Sequence, residues 1–253
     1  MLFDSIVYGP IRSRRLGVSL GMNLMPTTAK LCTFDCVYCE CGWNQPVSHP
    51  VLPTREQVRE ALASRLIALS SNQLDVITFS GNGEPTLHPE FLGIIEDTCA
   101  LRDRYCPKAK ISVLSNSTQL GRADVVKALR MCDNRILKLD SAIDTTMCLI
   151  DKPVNENLTV EQVAEWLSLF EGDFTLQTCF LRGEYEGQVI DNTTPEELSA
   201  WYTMIERLRP KQVMIYVIDR ATPLQTLSKV PAAEMEAIAA PLREKGIDVI
   251  VSA

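Results

Sequence analysis

Short β-rich runs alternate with amphipathic helical stretches along nearly the whole chain, and this alternation restricts the fold more than any other property of the sequence. The strand candidates are Ser19–Leu24, Asp75–Ser80, Lys110–Asn116, Arg135–Asp140, Phe174–Phe180 and Gln212–Arg220. Helical patterning falls near 54–70, 88–105, 121–132, 159–171, 194–209 and 231–245, and a short strand at Ile247–Ser252 follows. Several helix starts carry capping boxes, in which a Thr oxygen and a Gln or Glu three residues on satisfy N–H groups at the first turn. These are Thr54 with Gln57, Thr159 with Gln162, and Thr194 with Glu197, the last with Pro195 at the first helical position. Strict strand–helix alternation implies a parallel sheet covered by helices. Six units rather than eight predict an α/β fold built as a partial (β/α)6 TIM-type barrel; an open doubly wound sheet is the alternative from pattern alone.

The side-chain pattern favours the barrel. Alternate strand residues face opposite sides, and the apolar set belongs against the helices. In Arg135–Asp140 that set is Leu137 and Leu139, which turns Lys138 and Asp140 inward. In Gln212–Arg220 it is Val213, Ile215 and Val217, leaving Met214, Tyr216 and Arg220 inward. The same reading turns Ser19, Asn23, Thr78, Ser80, Ser112, Asn116 and Gln177 to the interior. A face filled for stability alone would be aliphatic there. Polarity on this face predicts a buried site.

No repeat, low-complexity stretch or linker divides the chain. The expectation is one domain over 1–253, with 1–18 an N-terminal extension, 19–220 the barrel core and 221–253 a closing helix and strand. No charge-free apolar run approaches the roughly 18 residues that span a bilayer, and Asp4 with no basic segment argues against a signal peptide. Lys+Arg is 25 against Asp+Glu 32, a formal charge of −7, which disfavours a broad nucleic-acid footprint. Nine cysteines, an odd and sparse set, fit a reducing cytoplasm better than a disulfide scaffold.

Four of the nine fall together, in Cys32-Thr-Phe-Asp-Cys36-Val-Tyr-Cys39-Glu-Cys41. Three thiolates from one short loop can hold three corners of a 4Fe–4S cubane, leaving the fourth iron for a substrate. Structural zinc draws two Cys pairs a dozen or more residues apart, which this loop lacks. Bystander thiols explain one or two cysteines, not three at this spacing. Cys41 stays outside the set, since a fourth protein ligand would close the exchangeable position.

The C-x3-C-x2-C spacing with Tyr38 before the third cysteine resembles the signature of radical S-adenosylmethionine (SAM) enzymes. The resemblance implies that Cys32, Cys36 and Cys39 hold a cluster that binds SAM and cleaves it reductively. The resulting 5′-deoxyadenosyl radical then abstracts hydrogen. Ser80-Gly81-Asn82-Gly83-Glu84-Pro85 is, by itself, a Gly-rich turn before a helix. It resembles the superfamily's Gly-Gly-Glu-Pro segment, with Asn82 in place of the first glycine. That likeness implies that Gly81, Asn82, Gly83, Glu84 and Pro85 contact SAM, with Glu84 accepting from its ammonium. By the same likeness Ser115, Asn116 and Asp140 are candidate ribose contacts, although strand-end turn formation accounts for them equally. His49 and His88 are poor catalytic candidates, a loop residue and a helix cap.

Arg12-Ser-Arg-Arg-Leu-Gly-Val-Ser-Leu-Gly-Met-Asn-Leu, SGNGEPTLHPEF, LKLDSAI, LQTCFLRG and IYVIDRATP extend the likeness to the branch that includes the wyosine-base synthases of tRNA. Two departures count against that substrate. No second cysteine cluster lies upstream of Cys32, and the isoelectric point of about 5.0 is wrong for tRNA. The expected substrate is therefore a small, nucleobase-like molecule gripped by Lys138, Gln177, Tyr216 and Arg220. Arg14 and Arg15 either anchor an anionic group near the cluster or form a solvated turn. Cys179, if it faces the interior, is positioned to act on a radical intermediate. The expected partner is a reductant such as flavodoxin or ferredoxin, with no membrane. The competing readings are a tRNA-modifying enzyme, a glycyl-radical activase and a non-catalytic iron–sulfur electron carrier.

Overall fold

Side-chain periodicity places the helices of this chain well, and the computed structural model, which describes residues 2–13, 16–46, 48–69 and 74–253, shows how they are started. Thr54 forms the full capping box with Gln57 at the head of α1 (Arg55–Ala68). Thr159 caps α5 (Val160–Ser168) and Thr194 caps α6 (Pro195–Leu208) through the N–H three residues on. Neither of these two is reciprocated. Gln162 turns to Glu165, and the buried Glu197 carboxylate accepts from Ser141.

The chain forms two compact units. The first comprises Met1–Cys32 and Asn44–Ile136, and the second Thr33–Trp43 and Leu137–Ala253. In the first unit β1 (Val7–Ser13) pairs antiparallel with β2 (Gly17–Asn23). Then β2, β3 (Val76–Ser80) and β4 (Lys110–Ser115) run parallel, with α1 and α2 (Phe91–Tyr105) as crossovers. Helix α3 (Ala123–Met131) leads to β5 (Asn134–Lys138), in which the chain passes to the second unit. Ile77 and Phe79 of β3 are fully buried, Phe79 edge-on to Phe91 of α2. On the opposite face the polar residues satisfy one another: Ser19 bonds Thr78 at 2.8 Å, and Asn134 donates to Ser112 at 2.9 Å.

In the second unit β6 (Thr175–Cys179), β9 (Gln212–Tyr216) and β11 (Asp248–Ser252) are parallel. Helices α6 and α7 (Ala232–Glu244) lie between them in sequence. Trp201 of α6 is buried edge-on to Phe180 and donates to Thr178 of β6, which locks helix to strand. A small antiparallel sheet, β7 (Leu181–Tyr185) with β8 (Gln188–Asp191) and β10 (Ser228–Lys229), has no counterpart in the sequence expectations. Neither do β1 and α4 (Asp144–Asp151), whose eight residues are too short to display a convincing period. Gln212–Arg220 is shorter than expected. Beyond Tyr216, Val217 N–H bonds Ser252 at the end of β11, and with the neighbouring strand finished the ladder cannot continue.

Candidate functional site

In the first unit the Ser80–Pro85 segment is stitched to the residue before the first cysteine. Leu31 N–H donates to Asn82 O at 2.9 Å, and Glu84 N–H donates to Leu31 O at 3.1 Å. Gly83 permits this approach. It sits at φ +145°, and a Cβ there would lie 1.8 Å from Leu31 O. Gly81, at φ +115°, also packs closely, a Cβ there lying 2.6 Å from Asn23 Oδ1. Asn82 is fully buried, its amide bonding Phe3 N, Phe3 O and Pro26 O at 2.8 Å each. Asn in place of glycine therefore ties the N-terminal segment to this loop and does not present its side chain to a ligand.

Glu84 departs further from expectation. Its carboxylate accepts from Thr86 N at 3.1 Å, Thr86 Oγ1, Ser115 Oγ at 2.9 Å and Asn116 N at 2.7 Å. It caps the single 3-10 turn Pro85–Leu87 and pins the end of β4. Burial raises its pKa, against the lowering effect of these donors, chiefly Asn116 N–H. Three of these donors meet Oε1 and one meets Oε2, so Glu84 organises this loop. Ser115 and Asn116 show the turn-forming role: Ser117 N bonds Ser115 Oγ, and Thr118 bonds Asn116 Oδ1. The Asn116 amide Nδ2 also lies 3.5 Å from Cys32 Sγ. His88 bonds Pro53 O and accepts from Glu90 N, the structural role expected of it.

In the second unit the cysteine loop is held by α4. Asp35 N and Val37 N donate to Asp151 O and Ile150 O at 2.9 Å each, filling carbonyls that a helix C-terminus leaves open. Cys39 N–H closes a turn on Cys36 O at 3.0 Å. Lys138 Nζ stands 2.9 Å from Cys36 Sγ and 3.2 Å from Asp140 Oδ2, bonds Asp151 Oδ1, and lies over the rings of Phe34 and Tyr38. Tyr38 donates to Asp140 Oδ2, Cys179 N–H donates to Asp140 Oδ1 at 2.8 Å, and Tyr216 OH reaches Tyr38 OH at 3.4 Å.

Burial dominates the electrostatics here. It pushes the Tyr38, Tyr216 and Cys179 pKa values well up, with the Asp140 charge adding to each. For Lys138 burial acts downward, but Asp140 and Asp151 outweigh it and the pKa lies well above the usual range. One cation cannot balance two buried carboxylates. Burial therefore moves Asp151 up to about 7 despite Lys138, with Asp140 pushing the same way.

The expected substrate residues separate in consequence. Lys138 is consumed by Cys36, Asp140 and Asp151. Gln177 is buried, its amide 3.7 Å from Met214 Sδ. Tyr216 joins Tyr38. Arg220 lies beyond β9, its side chain 70% exposed and paired with Glu40, so it does not face inward with Tyr216. Asp140, a proposed ribose contact, is instead a fully buried acceptor for protein donors. Arg14 and Arg15 lie outside the described residues. Asp151 escaped sequence reasoning because α4 did. The signal was present, since it shares the buried face of α4 with Met147 and Ile150.

The cysteines suit a cluster by the chemistry of the donor set. None of the nine is in a disulfide, and Cys32, Cys36 and Cys39 are half-buried on one loop. Cys32 Sγ and Cys36 Sγ each face an N–H donor, as sulfurs bearing negative charge require. Among the described residues no three His, Cys, Asp or Glu side chains gather around a single ion, whereas a cubane takes each thiolate on a different iron. No helix among the described residues is long and apolar enough to cross a membrane.

A family model described as the Radical SAM superfamily matches residues 27–189. A protein named GTPase Obg from Brachyspira hyodysenteriae is 28% identical over 234 residues, covering 91% of this chain and 32% of that protein. A UPF0026 protein of Methanocaldococcus jannaschii is 30% identical over 191 residues, 75% of this chain and 53% of its own length. The chain thus spans about a third to a half of these curated relatives. Streptococcus suis SuiB bound to S-adenosylmethionine has a TM-score of 0.64 at 11% identity, covering 91% of this chain and 50% of that one. TYW1 with a lysine-pyruvate adduct bound also scores 0.64, at 16% identity, covering 89% and 73%. These likenesses show the fold to be the partial TIM-type α/β barrel.

Proposed function

The chain belongs to the radical SAM superfamily, and from that premise we propose that it uses a 4Fe–4S cluster on Cys32, Cys36 and Cys39 to cleave SAM reductively and abstract hydrogen from a small, nucleobase-like molecule. The observation that carries this reading is the cysteine loop, with an amide at Cys32 Sγ and an ammonium at Cys36 Sγ. When bound, the cluster supplies the electron that splits the SAM sulfonium, and the adenosyl fragment then abstracts hydrogen. The chain's own part is positional. Gly83 and Glu84 hold Leu31, and with it the entry to the cysteine loop; α4 holds Asp35 and Val37 on its other side. SAM is assigned to the Ser80–Pro85 segment and the end of β4. Given how fully the Asn82 and Glu84 side chains are engaged, backbone groups carry that contact.

Enzymes of this superfamily need a reductant, and a flavodoxin- or ferredoxin-type protein in a reducing cytoplasm suits a chain without disulfides. The charge of −7 supports a small substrate over tRNA. Of the substrate set first expected, Gln177 and Tyr216 remain as candidates. Anaerobic reconstitution with iron, sulfide, SAM and dithionite tests the reading: 5′-deoxyadenosine is the expected product, and its absence overturns it. Tight, salt-sensitive tRNA binding would overturn the small-molecule assignment.

A further inference from the structure

Lys138 is the one expected substrate residue whose three N–H donors all have protein acceptors: Cys36 Sγ, Asp151 Oδ1 and Asp140 Oδ2. It is 9% exposed and packed over Phe34 and Tyr38, both residues of the cysteine loop. An anionic substrate would have to compete with two carboxylates already in contact. The geometry therefore assigns Lys138 a different task.

We propose that Lys138 is a positioning residue that sets the reduction potential of the cluster through its hydrogen bond to Cys36, with Asp151 metering the charge it delivers. This rests on the reading of the cysteine loop as a cluster site. Hydrogen bonds to cluster sulfurs and net local charge are principal determinants of iron–sulfur potentials. An added electron makes the thiolate sulfurs more negative, so an ammonium at 2.9 Å stabilises the reduced cluster more than the oxidised one. Burial keeps solvent from screening that interaction. Asp151 acts in the opposite sense, because it sits on the same ammonium and is itself only 2% exposed. The donor 3.5 Å from Cys32 Sγ, the Asn116 amide, is neutral, whereas the one at Cys36 carries a full charge.

The full chain, reconstituted anaerobically with ferrous iron and sulfide, is titrated with redox mediators while the reduced-cluster EPR signal is followed. Lys138→Gln is expected to lower the midpoint so that about tenfold less cluster is reduced at a fixed potential, about 59 mV for one electron. Asp151→Asn is expected to raise it, and Lys138→Arg to restore most of the loss. A purely structural role would move neither midpoint, or both in one direction. Either result overturns the proposal, as does any other pattern. If Lys138→Gln holds no cluster, Asp151→Asn decides alone: a rise supports the proposal, and no change or a fall overturns it. A wild-type chain that takes up no cluster removes the cluster reading itself, and this inference with it.

Discussion

Each compact unit contains a buried carboxylate centre one hydrogen bond from an N–H donor that touches a loop cysteine, yet the two are built differently. In the first unit Glu84 is surrounded by neutral donors, and Asn116, whose backbone N–H it accepts, reaches Cys32 with a neutral amide. In the second unit Asp140 and Asp151 flank Lys138, which meets Cys36 with a full charge. A carboxylate met by neutral dipoles makes a rigid turn. Two carboxylates around one ammonium leave a charge uncompensated, which a low-dielectric interior makes felt at the sulfur. The first centre holds shape; the second holds charge.

The largest effect expected from any single change falls on the cysteine loop. Cys36→Ala should abolish 5′-deoxyadenosine formation outright after reconstitution, read by chromatography; persistence of full turnover would remove Cys36 from the ligand set. Glu84→Ala comes next. It strands the Ser115 hydroxyl and the Thr86 and Asn116 N–H groups in a buried site, at a cost of about 3 kcal/mol or more. Chemical denaturation measures this, and a loss below about 1 kcal/mol would mean that the neutral centre is not what holds this loop.

A smaller effect separates the centres by pH. With Asp151 pushed up to about 7, the fold favours its protonated form, whereas unfolded it titrates near about 3.9. That stabilisation is complete below the unfolded value and is lost as pH rises through about 7. The melting temperature of the apo-protein should therefore decline between about pH 5 and about pH 8, and Asp151→Asn should flatten the slope. A wild-type profile as flat as the variant's would show that Lys138 balances both carboxylates. The smallest effect belongs to Arg220→Ala, which breaks an exposed pair with Glu40 and should change stability by less than about 1 kcal/mol. Turnover should be equally indifferent. A large rise in KM would return Arg220 to the substrate set and weaken the contrast between buried and exposed cations in this unit.

Much of the architecture was legible because it is written locally. The Thr54 box, the apolar alternation of Leu137 and Leu139, and the Thr–x–x–Glu start at Thr194 each act within a few residues. The elements missed included two without local emphasis: β1, which exists by pairing with β2, and α4, whose eight residues show a buried face only once one knows what they rest on. Glu84 stood out in the sequence, but the protein donors that its oxygens meet did not. Two of the four come from Ser115 and Asn116, more than thirty positions away.

By itself the sequence determined the order of strands and helices, the cysteine spacing and the polar strand face, since periodicity, capping and ligand spacing are short-range properties. Only the tertiary structure decided which donor meets which sulfur. Lys138 and Cys36 are 102 positions apart, and Asn116 and Cys32 are 84. A buried polar group must find a partner, but the partner is chosen by how distant elements pack. That choice turned a lysine expected to hold substrate into one held by two aspartates against a cysteine.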